Sequence, residues 1–277
     1  MKKYIENLFL VLFALLVFTA CSDEQGTDVG NDSQAKVTVY KYNAQLPLSA
    51  DNDVVIRVAA NNKIQEGYYF IEETESKNAR GMSDDQYADF VIANGQKIEG
   101  VNGASNTDLV LTGIIGEVTI TVVGVGGGNK SYSFITFKGL DWQDITDGTF
   151  TFAVNGIISR MGASVPATLQ YCANEEGLYR IKDLYGEGYS LKIRDTGNTA
   201  KDATGEYKVL SIAAQPTPLV YGSYGAIGVR DVATWQNDES FLVNNKMYDD
   251  YNIVIRLQYF VDAGSIGYGY DKFIPAE

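Results

Sequence analysis

Histidine is absent from this 277-residue chain. Its absence removes every Ser-His-Asp or Cys-His catalytic arrangement and every imidazole metal site. Cysteine is scarce, with Cys21 and Cys172 as the two in the sequence. Once Cys21 is set aside for the reason given below, Cys172 has no partner for a disulfide or a thiolate zinc cluster. Within LQYCA it reads as a small buried hydrophobe. Positive charge is short as well: 22 Lys and Arg stand against 35 Asp and Glu, for a formal charge of -13. Phosphate contacts need clustered Lys and Arg, so no nucleic acid is expected as a partner. The excess of acid suits a solvated, self-repelling surface in an extracellular setting. Long apolar runs are missing too. The strongest, LFLVLFALLVFTA at residues 8 to 20, falls short of the roughly 20 residues that span a hydrocarbon core as a helix.

That run follows Lys2 and Lys3, giving a charged n-region and a short h-region. It ends in Phe18-Thr19-Ala20-Cys21, which resembles the lipobox of bacterial lipoproteins, with Phe18 where Leu is usual. The resemblance implies that residues 1–20 are a lipoprotein signal peptide and that Cys21 is lipidated as the mature N-terminus. Two or more acyl chains, at about 0.8 kcal/mol per buried methylene, hold a protein stably on a membrane. Ser22, Asp23 and Glu24 resemble the export signal of Bacteroidetes-type lipoproteins displayed on the outer face of the outer membrane. Residues 21–35 are otherwise rich in Gly, Ser, Asp and Asn and read as a flexible tether, with a span of about 20 Å.

Beyond the tether, patterning gives two mostly β halves, 36–138 and 139–277. In the first, KVTVYKY (36–42), DVVIRVAA (53–60), GYYFIEE (67–73), DLVLTG (108–113), EVTITVVGV (117–125) and SYSFITF (131–137) read as strands. The last two flank GGGN, a hairpin turn; no helix N-terminus follows it, so it is not a dinucleotide loop. One helix is predicted after Ser83, where Ser83 and Gln86 form a capping box and Gly95 closes the segment. GYYFIEE together with LTGIIGEVTITVVGV resembles the immunoglobulin-like or fibronectin type III-like domain common at the N-terminus of such surface lipoproteins.

In the second half the texture turns rich in Tyr and Gly. Strands are predicted at 149–155, 167–173, 177–185, 189–195, 206–213, 219–230 and 252–262, separated by turn residues at fairly regular spacing. The expected fold is all-β with one short helix: two antiparallel β-sandwich domains behind a signal peptide. The stretches beginning at Trp142, GLYRIKDLYG and FVDAGSIGYGYDKF resemble a domain recurring in Bacteroidetes surface lipoproteins of unassigned function. The resemblance implies an accessory protein of the cell surface, often associated with glycan capture, and carries over no catalytic residue.

Candidate binding residues follow from sugar chemistry, in which aromatic rings stack on apolar sugar faces while carboxylates, amides or arginines take hydroxyls. The candidates are Tyr221, Tyr224 and Trp235 around Arg230 and Asp231, and Tyr268 and Tyr270 with Asp271. In GSIGYGYDKF the tyrosines alternate with glycine and so share one face of an extended segment, which glycine leaves uncluttered. The competing expectation is cross-strand packing of these rings, with Trp142 and Trp235 as core plugs. Asp195, Asn198 and Asp202 supply oxygen atoms but lack the EF-hand spacing, so they read as a solvated loop. Glu175 and Glu176 resemble the paired carboxylates of glycosidases, yet as neighbours they would point to opposite faces of a strand or lie in the turn that ANEEG suggests. No catalytic residue, metal or cofactor is expected. The leading expectation is a non-enzymatic surface lipoprotein that binds glycan. Its alternative is a structural or adhesive partner of an outer-membrane transporter or fimbria-like assembly, with a carboxylate-based glycoside hydrolase behind both.

Overall fold

A computed structural model describes residues 34–277. The signal peptide, Cys21 and the acidic run after it lie outside the described residues. Strand is the dominant element. The chain divides between Lys138 and Gly139 into two compact units, and residues 45–52 go with the second.

The first unit is built from two sheets. β1 (Val37–Asn43), β2 (Val54–Ala60) and β5 (Ser105–Leu111) form one. β3 (Glu66–Glu73), β4 (Gln96–Lys97), β6 (Gly116–Gly126) and β7 (Asn129–Gly139) form the other, in the order β4-β3-β6-β7. The two-residue period of β2 turns Val54, Ile56 and Val58 inward, and they share a core with Ile120 and Val122 of the opposite sheet. Arg57 points out and pairs with Asp108 on β5 at 2.8 Å. The β6–β7 turn is Gly127-Gly128 with φ of 59° and 77°, the two positive values that a tight hairpin of this hand requires.

Beside the short helix α1 (Thr74–Ala79), α2 (Asp84–Asn94) covers the other face of β6. Its Tyr87, Ala88 and Val91 pack on Val123. β6 is therefore buried on both sides, which is why its sequence reads as a nearly continuous apolar and threonine run. Ser83 Oγ accepts from the Gln86 amide at 3.3 Å, and Gln86 Oε1 accepts from the Ser83 amide at 2.9 Å.

The second unit departs from the sandwich that its spacing led us to expect. β8 (Trp142–Thr151), β9 (Ser164–Cys172), β10 (Leu178–Ile181), β11 (Leu191–Lys201), β12 (Glu206–Ser211), β15 (Lys246–Tyr248), β16 (Ile253–Val261) and β17 (Gly264–Pro275) each pair antiparallel with the next. β17 returns to β8 from Lys272↔Thr151 to Pro275↔Gly148 and closes an eight-stranded barrel. A hairpin, β13 (Gln215–Val220) and β14 (Ala226–Asp231), takes the part of the β16 edge that short β15 leaves open.

Eight strands enclose a space that side chains fill. Phe150, Leu169, Ile181, Leu191, Leu210, Ile255, Leu257 and Phe273 are all fully buried there.

Other local expectations change as well. The strand drawn over 149–155 ends at Thr151, and α3 (Asn155–Met161) follows, its Ile157 buried in the barrel core. The strand drawn over 219–230 is broken by a 3-10 turn at Gly222–Tyr224 and becomes two. The single predicted helix, α2, is joined by α1, α3 and α4 (Val232–Gln236), and a further 3-10 segment spans Glu239–Asn244.

Candidate functional site

The outer wall of the barrel carries the densest group of aromatic and cationic side chains that sequence reading singled out. Inward positions of β16 are Ile253, Ile255, Leu257 and Tyr259, so Arg256, Gln258 and Phe260 lie on the outer face, where Gln258 is covered by its neighbours and buried. Register then builds rows across the wall. Arg230 of β14 stands opposite Gln258, Gln258 opposite Tyr268, and Arg256 opposite Tyr270. Tyr268 and Tyr270 are 52% and 46% exposed.

Arg256 is the centre of this group. Its guanidinium carbon lies 5.0 Å from the Tyr268 ring centroid, 5.6 Å from Tyr270 and 5.8 Å from Phe241. Trp235 meets Tyr268 at 5.7 Å between ring centroids. Arg230 lies 4.3 Å from the Phe260 ring and donates Nε to Gln258 Oε1 at 2.7 Å.

Short capped segments bring Trp235 and Phe241 to the wall. Asp231 accepts from the Thr234 amide at 2.6 Å and so starts α4, while Asn237 ends it in the left-handed region at φ 52°. Asp238 accepts from the Ser240 amide and starts the 3-10 segment. Asn244, at the end of that segment, accepts from Tyr270 Oη at 3.0 Å and fixes its ring.

Two expected ligand contacts are instead interior supports. Asp231 is fully buried, and its second oxygen accepts from the Ile212 amide at 2.7 Å and Asn245 Nδ2 at 3.2 Å. Asn245 in turn accepts from the Arg256 amide at 2.9 Å, so Asp231 acts on the wall through the backbone beneath it. Asp271 points into the barrel, where it accepts from Tyr259 Oη at 2.6 Å and the Ala153 amide at 2.8 Å. Burial pushes its carboxyl up to about 7, against the lowering effect of those two bonds. Tyr259, sealed beside Tyr185 and Asp271, is raised well above the ordinary phenol range, chiefly by burial.

Tyr221 and Tyr224 form a separate pair, 6.1 Å apart. Arg160 of α3 lies 4.8 Å from the Tyr221 ring and donates Nε to the Val220 carbonyl at 3.0 Å. Tyr224 is 62% exposed, whereas Tyr221 packs against the barrel core. Of the eight candidates, Arg230, Trp235, Tyr268 and Tyr270 thus come together, Tyr221 and Tyr224 pair elsewhere, and Asp231 and Asp271 turn inward.

The glycines of GSIGYGY serve the opposite face from the one expected. A Cβ on Gly269 would stand 2.6 Å from the Ala153 Cβ, so glycine there lets the chain at 153 pack close against β17. The missed members are Phe241, Asn244, Arg256, Gln258 and Phe260. Arg256 and Gln258 had a visible signal, as polar residues two apart within an otherwise apolar strand.

The remaining carboxylates of interest are engaged. Glu175 pairs with Arg194 at 3.3 Å. Asp202 accepts from Lys246 Nζ at 2.6 Å and Tyr248 Oη at 2.8 Å, contacts that hold it well below the usual carboxylate range. Asp195 lies 3.4 Å from Lys208 Nζ. Among the described residues, no group of three His, Cys, Asp or Glu is placed to hold a metal ion, and no helix is long and apolar enough to cross a membrane. Cys172 is buried and free, with Asn174 Oδ1 3.1 Å from its sulfur. No protein-family model matches the chain, and no curated protein matches it.

Proposed function

We propose that the chain is a non-enzymatic lipoprotein of the outer-membrane surface, and that the second unit captures glycan on the outer wall of its barrel. The observation that carries the binding reading is the grouping of Trp235, Tyr268 and Tyr270 around Arg256, with Arg230 and Gln258 in the adjoining row. Exposed rings offer flat faces to the apolar side of a sugar, and the neighbouring guanidinium groups are suited to its hydroxyls, while buried Gln258 holds Arg230 in place. A filled interior directs the reading to the wall. The resemblance of the run ending at Cys21 to a lipobox, and the acidic residues after it, support the surface placement.

The first unit is a spacer or docking module of immunoglobulin-like type. Its sheets, β1-β2-β5 against β4-β3-β6-β7, are supporting evidence, since that order is the one produced by a two-sheet Greek-key sandwich of seven strands.

Calorimetry of the purified chain against a panel of polysaccharides tests the binding reading. Binding that falls about tenfold or more in Tyr268→Ala, without loss of the folded signal, is the expected outcome. Absence of any binding across the panel would sink it.

A further inference from the structure

We infer that the glycan taken by this wall is acidic, and that the Nη edge of Arg256 receives a carboxylate or sulfate oxygen of the sugar. The inference rests on the glycan reading above and narrows it to a ligand class.

Arg256 is one of three arginines among the described residues without a carboxylate partner, and of the other two Arg160 is spent on backbone carbonyls away from the wall. Acids outnumber bases by 35 to 22, and Arg57, Arg80, Arg180 and Arg194 each have a carboxylate partner. Among the described residues, neither Arg256 nor Arg230 has one within ion-pair distance. Arg256 also keeps a buried Nε with no hydrogen-bond partner. A guanidinium left in this state is costly unless something completes it.

The rings supply only part of that completion. Phe241, Tyr268 and Tyr270 surround the cation and attract it through their π faces. The in-plane donors of a guanidinium still call for oxygen, and its fork fits the two oxygens of a carboxylate or sulfate. Arg256 is partly exposed as a residue while its unpartnered Nε is buried, so the proposed ligand meets the Nη groups and not Nε. Arg230 lies one row away on the same face, diagonal to Arg256 across the β14–β16 ladder and about 7–8 Å distant in such a ladder. Two cations set among stacking rings fit a polymer that repeats a ring and an anion. A neutral glucan would leave both guanidinium groups without an acceptor of opposite charge. The acidic surface elsewhere does not prevent this, because charges beyond about 8 Å are largely screened at physiological ionic strength.

The test is calorimetry of the full chain against an oligogalacturonate, a sulfated galactan oligosaccharide and a neutral gluco-oligosaccharide of equal length. The expected result is at least tenfold tighter binding of one or both acidic ligands, weakening as salt is raised. The uronate and sulfate arms decide which anion is preferred. Arg256→Gln should lose about tenfold on the acidic ligand and distinctly less on the neutral one, so that the acidic-to-neutral ratio falls, while Tyr268→Ala weakens every ligand that binds. If Arg256→Gln does not fold, Arg230→Gln and the acidic-to-neutral ratio of the parent chain carry the test. Equal affinity for neutral and acidic ligands, or an Arg256→Gln variant that keeps its acidic preference, overturns this inference and leaves the glycan reading intact. Failure of all three ligands to bind overturns this inference, and the broader polysaccharide panel then decides the glycan reading.

Discussion

Asp271 has no contact with solvent, and its carboxyl sits at about 7 where the unfolded chain would hold it near 4. Between those values the folded chain keeps a proton that the unfolded chain gives up. The contribution of this group to stability is therefore complete below about pH 4 and is lost as pH rises through about 7. Asp271→Asn, which has nothing to ionise, should flatten this part of the stability profile by about 2–4 kcal/mol. Denaturant melts of parent and variant between about pH 5 and 8 check it, and parallel profiles would count against the buried-acid account. Gly269→Ala tests the neighbouring position from the other direction. The added methyl would meet Ala153 and should cost about 1–3 kcal/mol while displacing the strand that carries both site tyrosines. Tyr268→Ala removes an exposed ring, so its effect on stability should stay within about 0.5 kcal/mol even as ligand binding falls.

Among the elements, the segment 45–52 has the clearest energetic role. Asp51 accepts from Trp142 Nε1 at 3.0 Å and Arg180 Nη1 at 3.2 Å, and also from Lys192 Nζ. Arg180 is mostly buried and stacks 4.3 Å from the Trp142 ring, so removal of Asp51 strands a cation. Asp51→Ala should destabilise the second unit by about 3 kcal/mol in thermal or denaturant melts. For the same reason, a fragment beginning at residue 139 should melt below the intact unit.

Local order was legible wherever it is set by near neighbours. The two-residue alternation of β2, the Ser83–Gln86 box and the Gly127-Gly128 turn all announce themselves in sequence. Helices of five to seven residues, such as α4 and α3, are too short to show a period. The β17–β8 closure joins residues more than a hundred apart and leaves no local mark. Tyr268 and Tyr270 were legible as candidates because rings among glycines stand out. The inward turn of Asp231 and Asp271 was not, since burial of a carboxylate is decided by what the rest of the chain packs over it.

For the chain as a whole, the proposed lipid attachment and the proposed binding wall lie in different segments of the sequence. Cys21→Ala should move the chain from the membrane pellet to the soluble fraction of cells and leave glycan affinity in solution unchanged. A variant that stays in the pellet would remove the lipid from the account. The -13 charge favours dispersion of neighbouring copies, and the arginine pair gives the barrel wall its local exception.

Division of labour between the two sides of the barrel wall has a further consequence. Residues that close and fill the ring, Ile255, Leu257 and Phe273 among them, point one way along the same strands whose other side carries Arg256, Tyr268 and Tyr270. Descent with modification can then rework the outer set while the inner set stays under packing constraint. Exchange of a few outward side chains would therefore alter what the wall can bind without requiring a new fold.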